Sequence, residues 1–139
     1  MNLLNAVRVQ LAVAGAAAGT SDVTGATIDM SGFEGVVFVG TIAAHAANNF
    51  IQVEQDTASG MGTAAALEGT KVLAGTNGNA VAVDVYRPRE RYVRAVIKRG
   101  TSTATGDVYA LLYGAHVQPV THGTTVVAET HQSPAEGTP

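Results

Sequence analysis

The chain has 139 residues, a net charge of −3 and no cysteine; the length suits a single domain with one core, and the lack of cysteine excludes disulfides, a thiolate nucleophile and a Cys-based zinc site. Only 14% of the residues are charged and 46% are hydrophobic, leaning on Ala and Val. That is too apolar for a disordered chain and leaves little material for a well-solvated surface, so much of the surface is expected to be covered in an assembly.

The first nineteen residues, "MNLLNAVRVQLAVAGAAAG", have the apolar run and small-residue ending of a signal peptide, but they lack a basic start and carry Arg8 inside the run. Val7, Val9, Leu11 and Val13 alternate with Ala6, Arg8, Gln10 and Ala12, which predicts a half-buried strand over 6–13. No stretch reaches the about eighteen uncharged apolar residues of a membrane span. Ala26, Ile28 and Met30 share one face of a second strand at 24–32. Residues 34–42 are apolar on both faces, as a central strand requires. In 50–56, Ile51 and Val53 point in while Gln52, Glu54 and Asp56 point out. Glycine spacing makes 59–70 a loop with a short strand, and the Asn-Gly and Gly-Asn pairs of 75–80 are turn chemistry.

Val81, Val83 and Val85 face inward on a strand at 80–86, as do Val93, Ala95 and Ile97 at 91–99, and 107–114 is the last strand. The last two are expected to pair as a hairpin across 100–106. Seven to eight short strands with Gly/Ser/Thr/Asn turns predict an all-β fold. The expected form is a single-domain β-sandwich or small jelly-roll-like barrel over 1–120, with extended N- and C-terminal arms. Residues 121–139 have one short apolar run, Val126–Ala128, followed by polar residues and prolines. They are expected to form an arm along a neighbouring subunit.

Catalytic patterns are missing. His45, His116, His122 and His131 fall at no metal-ligand spacing, no Ser stands in a GxSxG elbow, and no Gly-rich segment forms a phosphate loop. Glu54 and Asp56 have the form of a carboxylate pair, but an outward polar strand face is the simpler account. Neither an enzyme, a metal site nor a cofactor is expected.

Charge carries the one sharp signal. Arg87, Arg89, Arg91, Arg94, Lys98 and Arg99 against Glu90 give 87–99 a local charge of +5; elsewhere Arg8 and Lys71 stand against ten acids, a local −8. Tyr86 and Tyr92 interleave with the cations as on single-strand-binding surfaces. Nucleic-acid binders, however, are usually basic overall, and Glu90 offers a partner within the cluster. Arg–carboxylate pairs within or between subunits would use the same residues. Arg87, Arg89, Glu90, Arg91, Arg94 and Lys98 are therefore candidates for a subunit or capsid interface, with Val7, Val9, Leu11, Val126 and Val127 as arm contacts.

Three phrases, "IDMSGFEGVVFVGTI" at 28–42, "VDVYRPRERYVRAVIKRGTSTATGDVYALLYG" at 83–114 and "HGTTVVAETHQSPAEG" at 122–137, resemble small virion proteins of tailed bacteriophages of the capsid decoration, or cement, type. The resemblance implies a non-enzymatic structural protein on the outside of an assembled head, made in the bacterial host cytoplasm. Its implied partners are the major capsid protein and other copies of itself, as a trimer or dimer, with no membrane and no nucleic acid. A head–tail joining or tail component, or a glycan- or nucleic-acid-binding β module, are the alternatives.

Overall fold

A computed structural model describes residues 2–76 and 80–138. The Asn-Gly turn expected at 75–80 falls largely on 77–79, outside the described residues. The fold is all-β apart from one helical turn, α1 (Leu3–Ala6). Its strands are β1 (Arg8–Val13), β2 (Ala16–Gly19), β3 (Val23–Thr24), β4 (Ile28–Asp29), β5 (Gly35–Thr41), β6 (Asn49–Asp56), β7 (Ala65–Ala66), β8 (Val72–Leu73), β9 (Ala80–Tyr86), β10 (Tyr92–Arg99), β11 (Thr103–Thr105) and β12 (Val108–Tyr113). Twelve strands are described where seven or eight are expected: the strand expected at 24–32 is broken into β3 and β4, with Ala26 and Met30 outside either piece, and the short β2, β8 and β11 carry no alternation to read.

Two antiparallel sheets pack face to face. The first has the order β1-β12-β5-β9. In the second, β10 and β6 form the centre, β3 and β4 flank β10, and β7 and β8 flank β6. Between them lies one apolar core. Val36 and Phe38 of β5, Val81 and Val83 of β9, and Val108, Ala110 and Leu112 of β12 meet Ile51 and Val53 of β6 and Val93, Ala95 and Ile97 of β10. The inward sets expected for β6, β9 and β10 are therefore the buried ones, with Val85 only partly covered; but Asp56, expected to point out, is buried among backbone and threonine donors, and β5, expected to be covered on both faces, leaves Val39 exposed. β5 is central as expected, between β12 and β9.

Three further expectations change. β10 and β12 do not form a hairpin: they lie in opposite sheets, and residues 100–106 carry the chain between them. Part of that connection, β11, pairs with the Ala-rich β2, so its hydrogen bonds are met there rather than in a tight turn. The N-terminal segment is not an extended arm either. β1 is integrated in its own sheet, with Arg8 opposite Leu112 and Leu11 opposite Tyr109. Finally, β1 is turned over relative to the simplest reading of its pattern. Arg8 and Gln10 share the face of the buried Leu112 and Ala110, while Val9 and Leu11 share the outer face with Leu111 and Tyr109. An irregularity between Leu11 and Val13 then lets Ala12 and Val13 both turn inward.

Candidate functional site

The basic stripe begins at the crossing between the two sheets. β9 ends at Tyr86, β10 starts at Tyr92, and Arg87–Arg91 connect them around Pro88, which has no N–H for a ladder. Arg87 sits at a φ of 50°, its backbone N–H donates to the Glu34 carbonyl at 2.7 Å, and its Nε donates to Glu34 Oε2 at 2.7 Å. His116 Nε2 lies 2.9 Å from the other Glu34 oxygen. The His116 contact and then the Arg87 contact hold the Glu34 carboxyl below its ordinary range. Arg91 grips Asp29 with both arms of its fork, Nε to Oδ1 at 2.9 Å and Nη2 to Oδ2 at 2.8 Å, which lowers the Asp29 pKa.

Arg94 and Glu54 face each other across β10 and β6 and bond at 2.8 Å, both largely covered. Lys98 meets Asp22 at 2.6 Å. Arg99, only 7% exposed, turns the other way. It donates to the carbonyls of Ser21, Ala17 and Thr103 at 2.7, 2.7 and 2.9 Å, tying β10 to the β2–β11 corner.

The acids are thus supplied by Asp22, Asp29, Glu34 and Glu54 rather than by Glu90, whose backbone N–H approaches Gln55 Oε1 at 3.4 Å. Arg89 is exposed and makes no ion pair among the described residues. It borders an open groove of about 560 Å³ between β9 and the β7–β8 connection, lined also by Gln55, Leu67, Thr70 and Tyr86. Four of the six cations that give this strip +5 in the sequence are thus paired with acids of the same chain, which weakens the local positive field.

The two outer sheet faces differ in chemistry. On the second sheet, Arg94–Glu54, Lys98–Asp22 and Arg91–Asp29 make a charged, internally paired surface. On the first, register and burial place Val9 and Leu11, Tyr109, Leu111 and Tyr113, Val37 and Val39, and Ala82, Asp84 and Tyr86 outward. Nearly all of these are apolar or aromatic. Val39 and Tyr109, near the middle, are 38% and 39% exposed, and Tyr86 at one corner is 61% exposed.

Asp84, the one charge in this set, accepts a hydrogen bond from Tyr113 Oη at 2.7 Å. Partial burial, and then the Asp84 contact, push the Tyr113 hydroxyl up to about 12. The Tyr113 ring lies over Gly35, where a Cβ would come within 2.3 Å of it, and stacks on Tyr86 with centroids 6.5 Å apart. The aromatic corner is thereby held by contacts within the chain. Together the outward residues of this sheet make one contiguous, largely apolar surface. The one sequence signal for it is that 34–42 is apolar on both faces; only the pairing brings the outward residues of the four strands together.

The C-terminal segment starts along the free edge of β1. The Val120 N–H donates to the Asn5 carbonyl, the Gly123 N–H to the Val9 carbonyl, and the Val9 N–H to His122 Nδ1 at 3.0 Å. Beyond 123 it forms no strand; Val126 is half-buried and Val127 is 95% exposed. Among the described residues no group of three His, Asp or Glu side chains is placed to hold a metal ion, and no helix is long and apolar enough to cross a membrane.

Geometry and surface chemistry define a small all-β sandwich with one charged, self-paired face and one largely apolar, partly exposed face. No protein-family model matches the chain, and no curated protein or solved structure shows significant similarity to it.

Proposed function

We propose that the chain is a structural virion protein that binds the outside of an assembled phage capsid and stabilises it as a decoration protein. The observation that carries the assembly part of this reading is the apolar outer face of the β1-β12-β5-β9 sheet. Burying such a face removes about 25 cal/mol for each Å² of apolar surface withdrawn from water, and it needs no catalytic group. The phage part rests on the sequence resemblance over 28–42, 83–114 and 122–137. Contacts too weak to hold one copy suffice when many copies share a shell. Arg89, exposed at the crossing loop, and the exposed stretch after Gly123 are further contact points for a neighbour.

The test is location and copy number in purified virions, by imaging and quantitative mass spectrometry. Many copies spread over the shell support decoration. A small ring at a vertex or along the tail replaces it with the head–tail or tail reading, and absence from the particle refutes both.

A further inference from the structure

We infer that the pocket beside Arg8, at the end of the sandwich where the 30–33 turn meets residues 116–121, binds a monocarboxylate, with the carboxylate on the Arg8 guanidinium and a short apolar body against Phe33 and Pro119. The inference goes beyond the assembly reading and uses none of the residues of the apolar sheet face.

Arg8 carries the argument. β1 turns it to the inner side of its sheet, opposite Leu112, and there its Nε is enclosed without a hydrogen-bond partner. It is the one buried side-chain polar atom so placed among the described residues. The guanidinium also has no ion pair among them. Buried donors are nearly always satisfied, and an unmatched one on a cation calls for an acceptor.

The acids at this end are already taken. Asp29 is held by the Arg91 fork and the Ser31 N–H, and Glu34 by Arg87 and His116. Of the contacts that lower the Asp29 carboxyl, the Arg91 hydrogen bond is the largest and Arg8 the smallest. Arg8, Arg87 and Arg91 thus stand against two acids, an excess of one positive charge. Arg89 and Glu90, further along the crossing loop, leave that excess unchanged. A single negative charge balances the site, which selects a monocarboxylate over a phosphate dianion.

The walls are tied together. The His116 N–H donates to the Gly32 carbonyl at 2.9 Å, the Phe33 N–H to the Met30 carbonyl at 3.0 Å and the Val120 N–H to the Asn5 carbonyl at 3.0 Å. The space between them is about 280 Å³. At about 30 Å³ for each water-sized group, a four-carbon acid fits and leaves room for water. Arg8, Ser31 and Thr121 supply the polar side of the lining, and Phe33, Pro119 and Val120 the apolar side. A guanidinium receives a carboxylate through paired N–H···O bonds.

Proton–nitrogen NMR correlation spectra of the full chain test the site, titrated with sodium butyrate up to about 50 mM against sodium chloride of equal ionic strength. The expected result is saturable shifts of the Gly32, Phe33 and Val120 amides and of the Arg8 Nε–H, with a dissociation constant in the millimolar range. Butyramide, which has the same body without the charge, should leave them unmoved. Arg8→Gln should weaken binding at least about tenfold, with unchanged thermal unfolding showing that the variant is folded. Arg89→Gln, a cation lost outside the pocket, should bind as the wild type does. Two sources present such a carboxylate, a free short-chain acid and a glutamate side chain of a docked polypeptide. Butyrate and N-acetylglutamate α-amide distinguish them by which saturates the site at the lower concentration, and saturation by either supports the inference. Wild-type shifts no larger than those from chloride or butyramide would overturn it, whether or not Arg8→Gln folds. So would folded Arg8→Gln that binds normally, or inorganic phosphate that saturates the same resonances more tightly.

Discussion

Arg99 and Lys98 are adjacent cations with opposite fates, and replacing each by alanine tests the account of the basic stripe. Arg99 is buried and gives three hydrogen bonds to backbone carbonyls, at 2.7, 2.7 and 2.9 Å. Hydrogen bonds from a charged donor contribute roughly 1.5–3 kcal/mol each. Water entering the β2–β11 corner would recover part of the loss, so Arg99→Ala should cost about 3–5 kcal/mol. That is a large share of the 5–15 kcal/mol typical of a whole domain. Lys98 pairs with Asp22 at 2.6 Å in an exposed setting, and Lys98→Ala should cost only about 0–1 kcal/mol. Urea unfolding followed by circular dichroism separates them: the Arg99→Ala midpoint should fall by roughly 2 M with an unchanged slope, and that of Lys98→Ala by under about 0.5 M. An Arg99→Ala loss below about 1 kcal/mol would refute the idea that this guanidinium holds the corner closed.

Two further outcomes follow from the same geometry. Gly35→Ala drives a methyl into the Tyr113 ring and should destabilise by about 1–3 kcal/mol, with much of the loss recovered in Gly35→Ala/Tyr113→Ala; a double-mutant cycle in urea measures that coupling. Asp56, only 4% exposed, accepts from the backbone of Ala58 and Thr63 and from two threonine hydroxyls, which hold its carboxyl below the ordinary range. Its contribution is present above the unfolded carboxylate pKa and is lost as pH falls through the lower folded value, so Asp56→Asn should flatten the decline of urea stability below about pH 4.

The long strands were legible because their buried residues alternate within one window: Ile51 and Val53, Val81 and Val83, Val93, Ala95 and Ile97. Arg99 stands in phase with that last set, so the same period already placed it inward; attention to its charge concealed this. β1 was harder. Period two separates Val9 and Leu11 from Arg8 and Gln10 but does not say which set faces the core, and the strand opposite it, with Tyr109 and Leu111 outward, decides. The in-chain pairing of the cations could not be read from a local window either, because their partners lie between Asp22 and Glu54, brought alongside by the pairings of β10 with β3, β4 and β6 and, for Glu34, of β5 with β9. The hairpin expectation failed for a related reason: adjacency in sequence carries no information about a chain that changes sheets through a corner such as β2–β11.

The pairing of β1 with β12 has a consequence for timing. Val9 is matched to Leu111, about a hundred residues later in the chain, so a ribosome must deliver almost the whole polypeptide before the first strand finds its partner. Contacts this distant make for slow, cooperative folding. The apolar sheet face, shared among β1, β12, β5 and β9, therefore comes into being only when the last strand arrives. A copy that stops before β12 has no such face at all.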